Sequence, residues 1–362
     1  MKEKTKKLLD NLNKITQKPK SQFQREKFDV ITNRYYIPNS LHTLPKSYDK
    51  AKRYEDKDWL DGEYILIDRV YGGLYEQQIR QKDLTIYKGK LYHKKRLDFN
   101  VAYACNLSCK GCISLSDFDR RGVESLKDIK EQCETWSKIL DPSIISIFGG
   151  EPLLHPRIKQ VLELIRKSWP NKLIRFITNG YLLHRYDPEM WFTFGSLEMQ
   201  VSIHRQDHEP IITKEIKRIV KCRNNWSATR SKVDGHKQLE LHNEDLTIYK
   251  SKFKKFVMPY RLENGEIKPF KSNPKKAHSI CGSPDVPILY RNKLYKCAPL
   301  PNILYLDKGG HYKYKGTEAD GDVEGLVKKI NKPEAVCSMC PENPNHSIDH
   351  FKKENVHVKH IN

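Results

Sequence analysis

Three cysteines fall close together in the segment ACNLSCKGCISL, residues 104–115. Cys105, Cys109 and Cys112 have the spacing C-x3-C-x2-C in a chain that carries only 9 cysteines. A disulfide uses cysteines in pairs and a structural zinc site uses four ligands, so three thiolates leave one metal position open. A tight loop can direct them at one iron–sulfur cube, whose fourth iron then binds something else. The alternatives are a zinc knuckle with a distant fourth ligand, or three buried thiols.

A second motif, FGGEPLLHP at residues 148–156, follows a predicted strand. Gly149 and Gly150 permit close approach of a ligand to the backbone, and exposed carbonyls there can accept hydrogen bonds from an ammonium group. Glu151 adds a carboxylate, and Pro152 follows it. Alone, this motif can be an ordinary tight turn. Because it lies one strand–helix unit after the cysteine loop, it is a more specific signal of a ligand-binding site.

The elements that would position these motifs alternate between strand and helix. The predicted strands are FNVAY (99–103), IISIF (144–148), LIRFIT (173–178), LEMQVSI (197–203) and a fifth, QLELH (238–242). Predicted helices begin near Ser125, which forms a capping-box-like pair with Asp128, then at Pro156 and at Ile212. This alternation favours a parallel sheet with helices outside it, closed as a barrel or open. Both motifs then lie at the carboxyl ends of strands, where such sheets carry their catalytic residues.

Four more cysteines lie beyond the alternating region: Cys281, Cys297, Cys337 and Cys340. The segment LYRNKLYKC, which ends at Cys297, predicts a small hairpin with its turn at Arg291–Lys293. Four thiolates make a closed site, either an all-cysteine zinc or a fully ligated [4Fe–4S] cluster. The remaining Cys133 and Cys222 lie in predicted helices among apolar residues, and we expect buried, unreactive thiols there.

The motifs CNLSCKGC and GGEP, supported by TNGYLL and VSIHR after the third and fourth strands, resemble those of the radical S-adenosylmethionine (radical SAM) superfamily. The resemblance covers roughly residues 98–260. It implies an α/β fold with a partial (β/α)6 TIM-like barrel, in which Cys105, Cys109 and Cys112 hold a [4Fe–4S] cluster that binds S-adenosylmethionine (SAM). It also implies reductive cleavage of SAM to a 5′-deoxyadenosyl radical, which abstracts hydrogen from a substrate.

The same resemblance implies a set of SAM contacts: Gly111, Gly149, Gly150, Glu151, Pro152, Asn179, Ser202 and His204. The GGEP motif would receive the methionyl ammonium, and the last three residues would contact ribose or the methionyl carboxylate. Two positions depart from the family pattern. Gly111 stands where an aromatic residue usually packs beside the adenine, and His204-Arg205 stands where the fourth strand often ends in an acidic residue.

Within such a chain, the C-terminal cysteines resemble the auxiliary-cluster modules called SPASM and twitch, which open with a cysteine, a hairpin and a second cysteine. Asn292 lies at the hairpin turn. The later SPASM cysteines are missing, so the resemblance implies one auxiliary [4Fe–4S] cluster of the twitch type, with zinc less favoured.

The prediction therefore divides the chain into five parts. These are a basic amphipathic leader (1–30), a β-rich extension with hairpins (31–96), the core barrel (97–260), a twitch-like module (261–345) and a basic tail (346–362).

The formal net charge of +21 invites a nucleic-acid hypothesis. Lysine outnumbers arginine 48 to 18, however, and base recognition and phosphate clamps favour arginine. Nucleic-acid binding is therefore possible but not favoured. No apolar run approaches the ~20 residues of a transmembrane helix, and no secretion signal begins the chain. We expect a cytoplasmic protein, where unpaired thiols persist.

The expected function is radical SAM chemistry on a peptide or protein side chain, because relatives with auxiliary modules commonly modify peptides. The alternatives are the same chemistry on a small molecule, such as a sugar or nucleotide, or on RNA. An alternative of another class is a zinc-stabilised nucleic-acid- or partner-binding protein without catalysis. The radical chemistry implies an electron donor such as flavodoxin or ferredoxin.

Overall fold

The structure is a computed structural model. It describes residues 90–359 without 171, 225, 234–235, 253–254, 285, 331, 344 and 350–351, and five short strands before residue 88. Side chains are described from residue 96 onward, apart from those gaps, residues 229–238, and 255, 324 and 327. The leader predicted over 1–30 and most of the β-rich extension predicted over 31–96 lie outside the described residues.

The strands in the described residues are numbered in chain order. They are β1 Lys27–Asp29, β2 Arg34–Tyr36, β3 Arg53–Glu55, β4 Glu63–Ile65, β5 Leu84–Tyr87, β6 Lys90–Ala102, β7 Leu107–Cys109, β8 Leu140–Gly149, β9 Leu173–Thr178, β10 Leu197–Ile203, β11 Ser227–Val233, β12 His236–His242, β13 Leu246–Lys252, β14 Lys255–Val257, β15 Arg261–Glu263, β16 Glu266–Lys268, β17 Ile288–Tyr290, β18 Lys293–Tyr295, β19 Ser347–Asp349 and β20 Val356–Val358.

The α-helices are α1 Leu126–Trp136, α2 Ile158–Ser168, α3 Glu209–Val220, α4 Pro274–Ser279, α5 Pro299–Leu306 and α6 Val323–Lys329. Short 3-10 helices lie at Ser116–Phe118, Pro152–Leu154, Leu183–Arg185, Pro188–Phe192, Gln206–His208, Ala335–Met339 and Lys353–Asn355. None of the helices in the described part of the chain is long and apolar enough to cross a membrane.

One large mixed sheet organises the fold. Its strands follow the order β11-β12-β13-β10-β9-β8-β6-β17-β18, and β5 pairs antiparallel with β6. The run from β13 to β17 is parallel throughout. The segment QLELH lies in β12 as predicted, but β12 is antiparallel to β13. The fifth parallel strand is β13, with the sequence LTIYKSK, for which no strand was predicted.

The two faces of the parallel sheet differ because alternate side chains of a strand point to opposite faces. Leu97, Phe99 and Val101 of β6 are buried in one apolar core with residues of α1 and α2. On the opposite face a polar row crosses four strands in register: Asp98, Ser146, Arg175 and Glu198. Arg175 Nε donates to Glu198 Oε1, and a buried charged row persists only when its members pair in this way.

The predicted helices occur with small shifts at their ends. Ser125 is the N-cap of α1, and its hydroxyl accepts a hydrogen bond from Asp128 N at 3.1 Å, as the capping pattern predicted. Cys133 is buried in α1, as expected. Cys222 lies two residues beyond the end of α3 and is only half-buried, so its predicted burial inside a helix was wrong.

Strands that follow residue 280 pair with earlier strands in three places, one of them in the main sheet. The predicted hairpin is present as β17 and β18, and its turn residues Arg291 and Asn292 both have positive φ, 49° and 57°. Strand β17 lies parallel to β6 and so extends the main sheet. Strand β19 pairs with β14, and β20 pairs with β7 in the cysteine loop.

Candidate metal centre

The cysteine loop follows β6 directly. Cys109 ends β7, and the next turn closes when Cys112 N donates to the Cys109 carbonyl at 3.2 Å. We call Cys105, Cys109 and Cys112 the loop site. Cys105 and Cys109 are buried, with 7% and 3% of their surface exposed.

The thiols of the loop site affect one another electrostatically. Burial raises the pKa of Cys109 well above its usual range, and the neighbouring Cys112 and Cys105 raise it further. Burial and then the Glu151 carboxylate raise the pKa of Cys105. Buried thiols that repel each other's charge stay protonated, so a bound cation is what would hold them as thiolates.

No three His, Cys, Asp or Glu side chains in the described residues are grouped around a point suited to a single metal ion. A cubane cluster differs from a single ion, because each of its thiolates binds a different iron. The donor set of the loop site, three sulfurs from one short loop, suits iron–sulfur chemistry, since soft thiolates select clusters of this kind.

Glu151 links the loops that follow β8 and β9. Its Oε1 accepts hydrogen bonds from Thr178 Oγ1 at 2.7 Å and from Leu153 N at 2.9 Å, and its Oε2 accepts from Asn179 N at 2.8 Å. Burial outweighs these hydrogen bonds and raises the pKa of Glu151 to about 7. The carboxylate therefore fixes the position of one loop against the other, and Pro152 begins the short helix that it caps.

Asn179 brings the loop after β9 to the cysteines. Its Nδ2 donates to Asn106 Oδ1 at 2.8 Å and lies 3.8 Å from the Cys105 sulfur. Its Oδ1 accepts from Tyr181 N at 3.1 Å, which closes a local turn. Asn179 therefore contacts a cysteine of the loop site directly.

The two glycines of GGEP lie against the chain's own backbone. A Cβ at Gly149 would come within 2.3 Å of the Ala102 carbonyl oxygen, and one at Gly150 within 2.1 Å of the Ala104 oxygen. Gly150 N and Glu151 N donate to these same oxygens, at 2.8 and 2.9 Å. The glycines therefore hold the GGEP loop against the segment that leads into Cys105.

The Gly111 position is occupied from another part of the chain. Gly111 has φ +72°, and a Cβ there would lie 3.0 Å from Cγ of Met258 and 3.5 Å from Cγ1 of Ile348. Gly111 N donates to Asp117 Oδ2, which also accepts from Tyr260 Oη at 2.7 Å. A left-handed backbone and apolar side chains beside it explain why glycine stands here.

Ser202 and His204 lie at the carboxyl end of β10, the same end of the sheet as the cysteine and GGEP loops. Ser202 is buried opposite Ser251 of β13, and the His204 ring stacks on Phe256 with centroids 5.7 Å apart. The adjacent Arg205 donates from Nη1 to the Val356 carbonyl at 3.2 Å. The end of β10 is thereby tied to the strand that covers the cysteine loop.

That covering strand is β20, within the segment predicted as a basic tail. It pairs antiparallel with β7, with Val356 opposite Cys109. Val356 is fully buried in an apolar cluster with Cys105, Leu107 and Cys109. Lys359 extends the pairing, since its backbone N donates to the Asn106 carbonyl at 2.8 Å.

The structure also brings the four C-terminal cysteines into electrostatic range of one another. We call Cys281, Cys297, Cys337 and Cys340 the C-terminal site. Burial raises the pKa of Cys297 well above its usual range, and Cys340, Cys281 and Cys337 add to the rise. Burial, with Cys281 and Cys337 nearby, raises the pKa of Cys340 to about 12.

Lys296 holds together the segments that carry the C-terminal site. Its Nζ is buried and donates to the carbonyls of Lys329, Ile330 and Lys332 at 2.6, 2.9 and 2.8 Å. The Glu334 carboxylate lies 3.4 Å away. A buried ammonium needs such a set of acceptors, so Lys296 fixes the segment that leads from α6 to Cys337 next to Cys297.

Sequence reasoning missed the residues that hold the loop site in place. Thr178 directly precedes Asn179 in the TNG motif, so a polar residue at the end of a buried strand was the available signal. Asp117 and Tyr260 form their hydrogen bond across 143 positions of sequence. Nothing in the local pattern of VHV predicted that β20 would pair with the cysteine loop.

Part of the chain is similar to known proteins. The model of the Radical SAM superfamily matches residues 99–226. A GTP 3',8-cyclase from Haemophilus ducreyi is 26% identical over 114 residues, which cover 31% of this chain and 33% of that protein. The chain thus matches about a third of the length of this curated relative.

Solved structures resemble the chain more distantly. SuiB from Streptococcus suis bound to its precursor peptide SuiA is 16% identical, with a TM-score of 0.28, over 39% of this chain and 30% of that one. BtrN in complex with AdoMet and 2-DOIA is 14% identical, with a TM-score of 0.39, over 68% of this chain and 92% of that one. The family match itself covers the cysteine loop, the GGEP loop and the carboxyl end of β10. Residues 99–226 of the chain therefore match the model of the Radical SAM superfamily.

Proposed function

We propose that this chain is a radical SAM enzyme in which the loop site holds a [4Fe–4S] cluster. The observation that carries the proposal is the position of the three thiols, on one loop that both Asn179 and the GGEP segment contact. When bound, the cluster and SAM would supply one-electron cleavage of the sulfonium and a 5′-deoxyadenosyl radical for hydrogen abstraction. An external donor such as flavodoxin or ferredoxin would provide the electron.

The chain's own residues would orient the cofactor at the carboxyl edge of the sheet. Glu151 already accepts three hydrogen bonds from its own chain, so we assign it to orienting the GGEP loop. The Gly149 carbonyl accepts a hydrogen bond from Ser114 Oγ at 2.6 Å. A carbonyl oxygen has two lone pairs, so Gly149 O has capacity for the methionyl ammonium.

Contacts to the rest of SAM follow from the same edge. We propose that Ser202 and His204 face the ribose or methionyl carboxylate from the end of β10, and that Gly111 contacts the adenine through its backbone. Met258 and Ile348 beside Gly111 provide the apolar surface that an aromatic side chain would otherwise supply. Burial of the cysteines would exclude water from the reacting atoms.

The C-terminal site is proposed to hold a second, fully ligated [4Fe–4S] cluster in a twitch-like module. Four thiols with no open position favour electron transfer to or from the substrate radical over binding of SAM. An all-cysteine zinc is the alternative metal, with a structural role. Iron and zinc analysis separates the two.

The substrate is proposed to be a peptide or protein side chain, with a small molecule as the alternative. Cleavage of SAM by the reduced holoenzyme should be stimulated by extract of the source cell. Loss of that stimulation after protease treatment would support a peptide substrate. Stimulation that passes a filter of about 1 kDa and resists protease would support a small molecule.

The test of the proposed function is formation of 5′-deoxyadenosine from SAM by protein that has been reconstituted with iron and sulfide without oxygen and then reduced. We expect the product from the native chain and from Cys222→Ala, which removes a thiol outside both sites. The Cys109→Ala variant should give none. Equal product from Cys109→Ala and Cys222→Ala, or none from the native chain with its cluster assembled, would contradict the proposal.

A further inference from the structure

The C-terminal strand places one charged side chain at the loop site. Lys359 follows β20, and its Nζ donates to the Ser116 carbonyl at 2.6 Å. The hydroxyl of the same Ser116 accepts a hydrogen bond from Cys109 N at 3.4 Å. The ammonium is thus held on the residue that contacts the backbone of a cysteine in the loop site.

The carboxylate that pairs with Lys359 interacts with it only weakly. Asp119 Oδ1 lies 3.6 Å from Lys359 Nζ, but the Asp119 side chain is 68% exposed and that of Lys359 only 22%. Water screens an exposed carboxylate, so its pairing neutralises little of the ammonium's field on the buried side.

We propose that Lys359 is a positioning residue that raises the reduction potential of the loop-site cluster. Thiolate ligands make such a cluster anionic, and adding an electron makes it more so. A nearby positive charge in a poorly hydrated site stabilises the reduced form more than the oxidised form. This inference rests on the proposed function, because it requires a cluster at Cys105, Cys109 and Cys112.

Strand β20 fixes the position of the Lys359 charge. Pairing of β20 with β7 and burial of Val356 fix the backbone that leads into Lys359, and Arg205 donates to the Val356 carbonyl. Lys353 provides a matched comparison, because it lies on the same segment, pairs with Asp207 at 3.6 Å and is 72% exposed. Removing its charge should leave the cluster unaffected.

The experiment is a redox titration of the reconstituted full chain with dithionite, followed by electron paramagnetic resonance. The loop cluster is identified as the signal that changes when SAM is added. We expect the Lys359→Gln variant to require a more negative potential than the native chain, while Lys353→Gln and Lys359→Arg match the native value. Asp119→Asn, which removes the exposed counter-charge and keeps Lys359, should also match the native value, because water already screens that carboxylate.

The outcomes distinguish failure of the proposed role of Lys359 from failure of the proposed function. A loop cluster that assembles in every variant, with Lys359→Gln equal to Lys353→Gln, would overturn the role of Lys359. If Lys359→Gln loses iron, Lys359→Met, which removes the charge and keeps most of the length of the side chain, is titrated in its place, and a native potential in that variant would overturn the inference as well. A native chain with no SAM-sensitive signal would instead overturn the proposed function.

Discussion

The loop site and the C-terminal site both gather cysteine thiols, but the chain assembles them differently. The loop site takes its three thiols from residues 105–112, so the backbone alone keeps them near one another. The C-terminal site draws its four from segments after α4, after β18 and around a 3-10 helix at Ala335–Met339. The first is a local structure that other parts of the chain cover. The second exists only through tertiary packing.

Because the two sites are assembled differently, each depends on different neighbouring groups. The loop site depends on neighbours that orient it, namely the GGEP loop, Asn179 and β20. The C-terminal site depends on a buried lysine, Lys296, and on whatever the thiols bind to offset their mutual repulsion. We therefore expect loss of metal to abolish chemistry at the loop site and to lower fold stability at the C-terminal site.

Removal of a loop-site thiol gives the largest expected effect. Cys109→Ala should lose about four of about eight irons per chain and all reductive cleavage of SAM, because a cubane held by two thiolates is not retained. Iron analysis and 5′-deoxyadenosine formation measure the two effects. Cys133→Ala is the control for loss of a buried thiol, and it should keep both.

Removal of a thiol from the C-terminal site should lower stability and leave SAM cleavage intact. Cys297→Ala should lose the other half of the iron and unfold several degrees earlier than Cys109→Ala, since bound metal contributes its binding energy to folding. SAM cleavage in the absence of substrate should persist. Loss of cleavage in a variant that keeps its loop-site iron would mean that the two sites are not separable.

Glu151 should make the loop site sensitive to pH. Its pKa rises from the ordinary 4.5 to about 7 on folding, so between these values the unfolded chain has released a proton that the folded chain retains. Stability therefore falls as pH rises through this window, by about 3 kcal/mol in total. Urea unfolding of the metal-free, reduced chain should show this loss in the native protein relative to Glu151→Gln. A difference between the two that is constant from pH 4.5 to 7.5 would contradict the assignment.

The smallest effect is expected from the strand that covers the cysteine loop. Val356→Ala removes two methyl groups from a fully buried side chain and should cost about 1–2 kcal/mol. Val358, on the same strand, is 41% exposed, and Val358→Ala should cost less than half as much. Urea unfolding measures both variants. Equal losses would mean that β20 does not pack on the cysteines.

Much of the fold follows from the sequence because strands and helices leave local patterns. LIRFIT and LEMQVSI form β9 and β10 with the predicted bounds, and Ser125 caps α1. Strand β13 was not predicted because LTIYKSK, which is buried at six successive positions, has no clear alternation of apolar and polar residues. Its neighbour QLELH alternates clearly and was placed in the sheet with the wrong direction.

The site was predictable in its ligands and less so in its surroundings. The cysteine spacing and GGEP identify residues that could bind a cofactor, because both lie after strands. The role of Gly149 and Gly150 against Ala102 and Ala104 requires knowing that two loops touch. The contacts of Val356 and Lys359 depend on pairing between distant segments, which no local pattern encodes.

The most direct test of the central claim uses a chain that retains only the loop site, with Cys337 and Cys340 replaced by alanine. After reconstitution and reduction, we expect about four irons per chain and a paramagnetic signal that changes when SAM is added. That result would establish an open iron at Cys105, Cys109 and Cys112. A four-iron cluster whose signal is identical with and without SAM, or a chain that binds zinc but no iron, would contradict it.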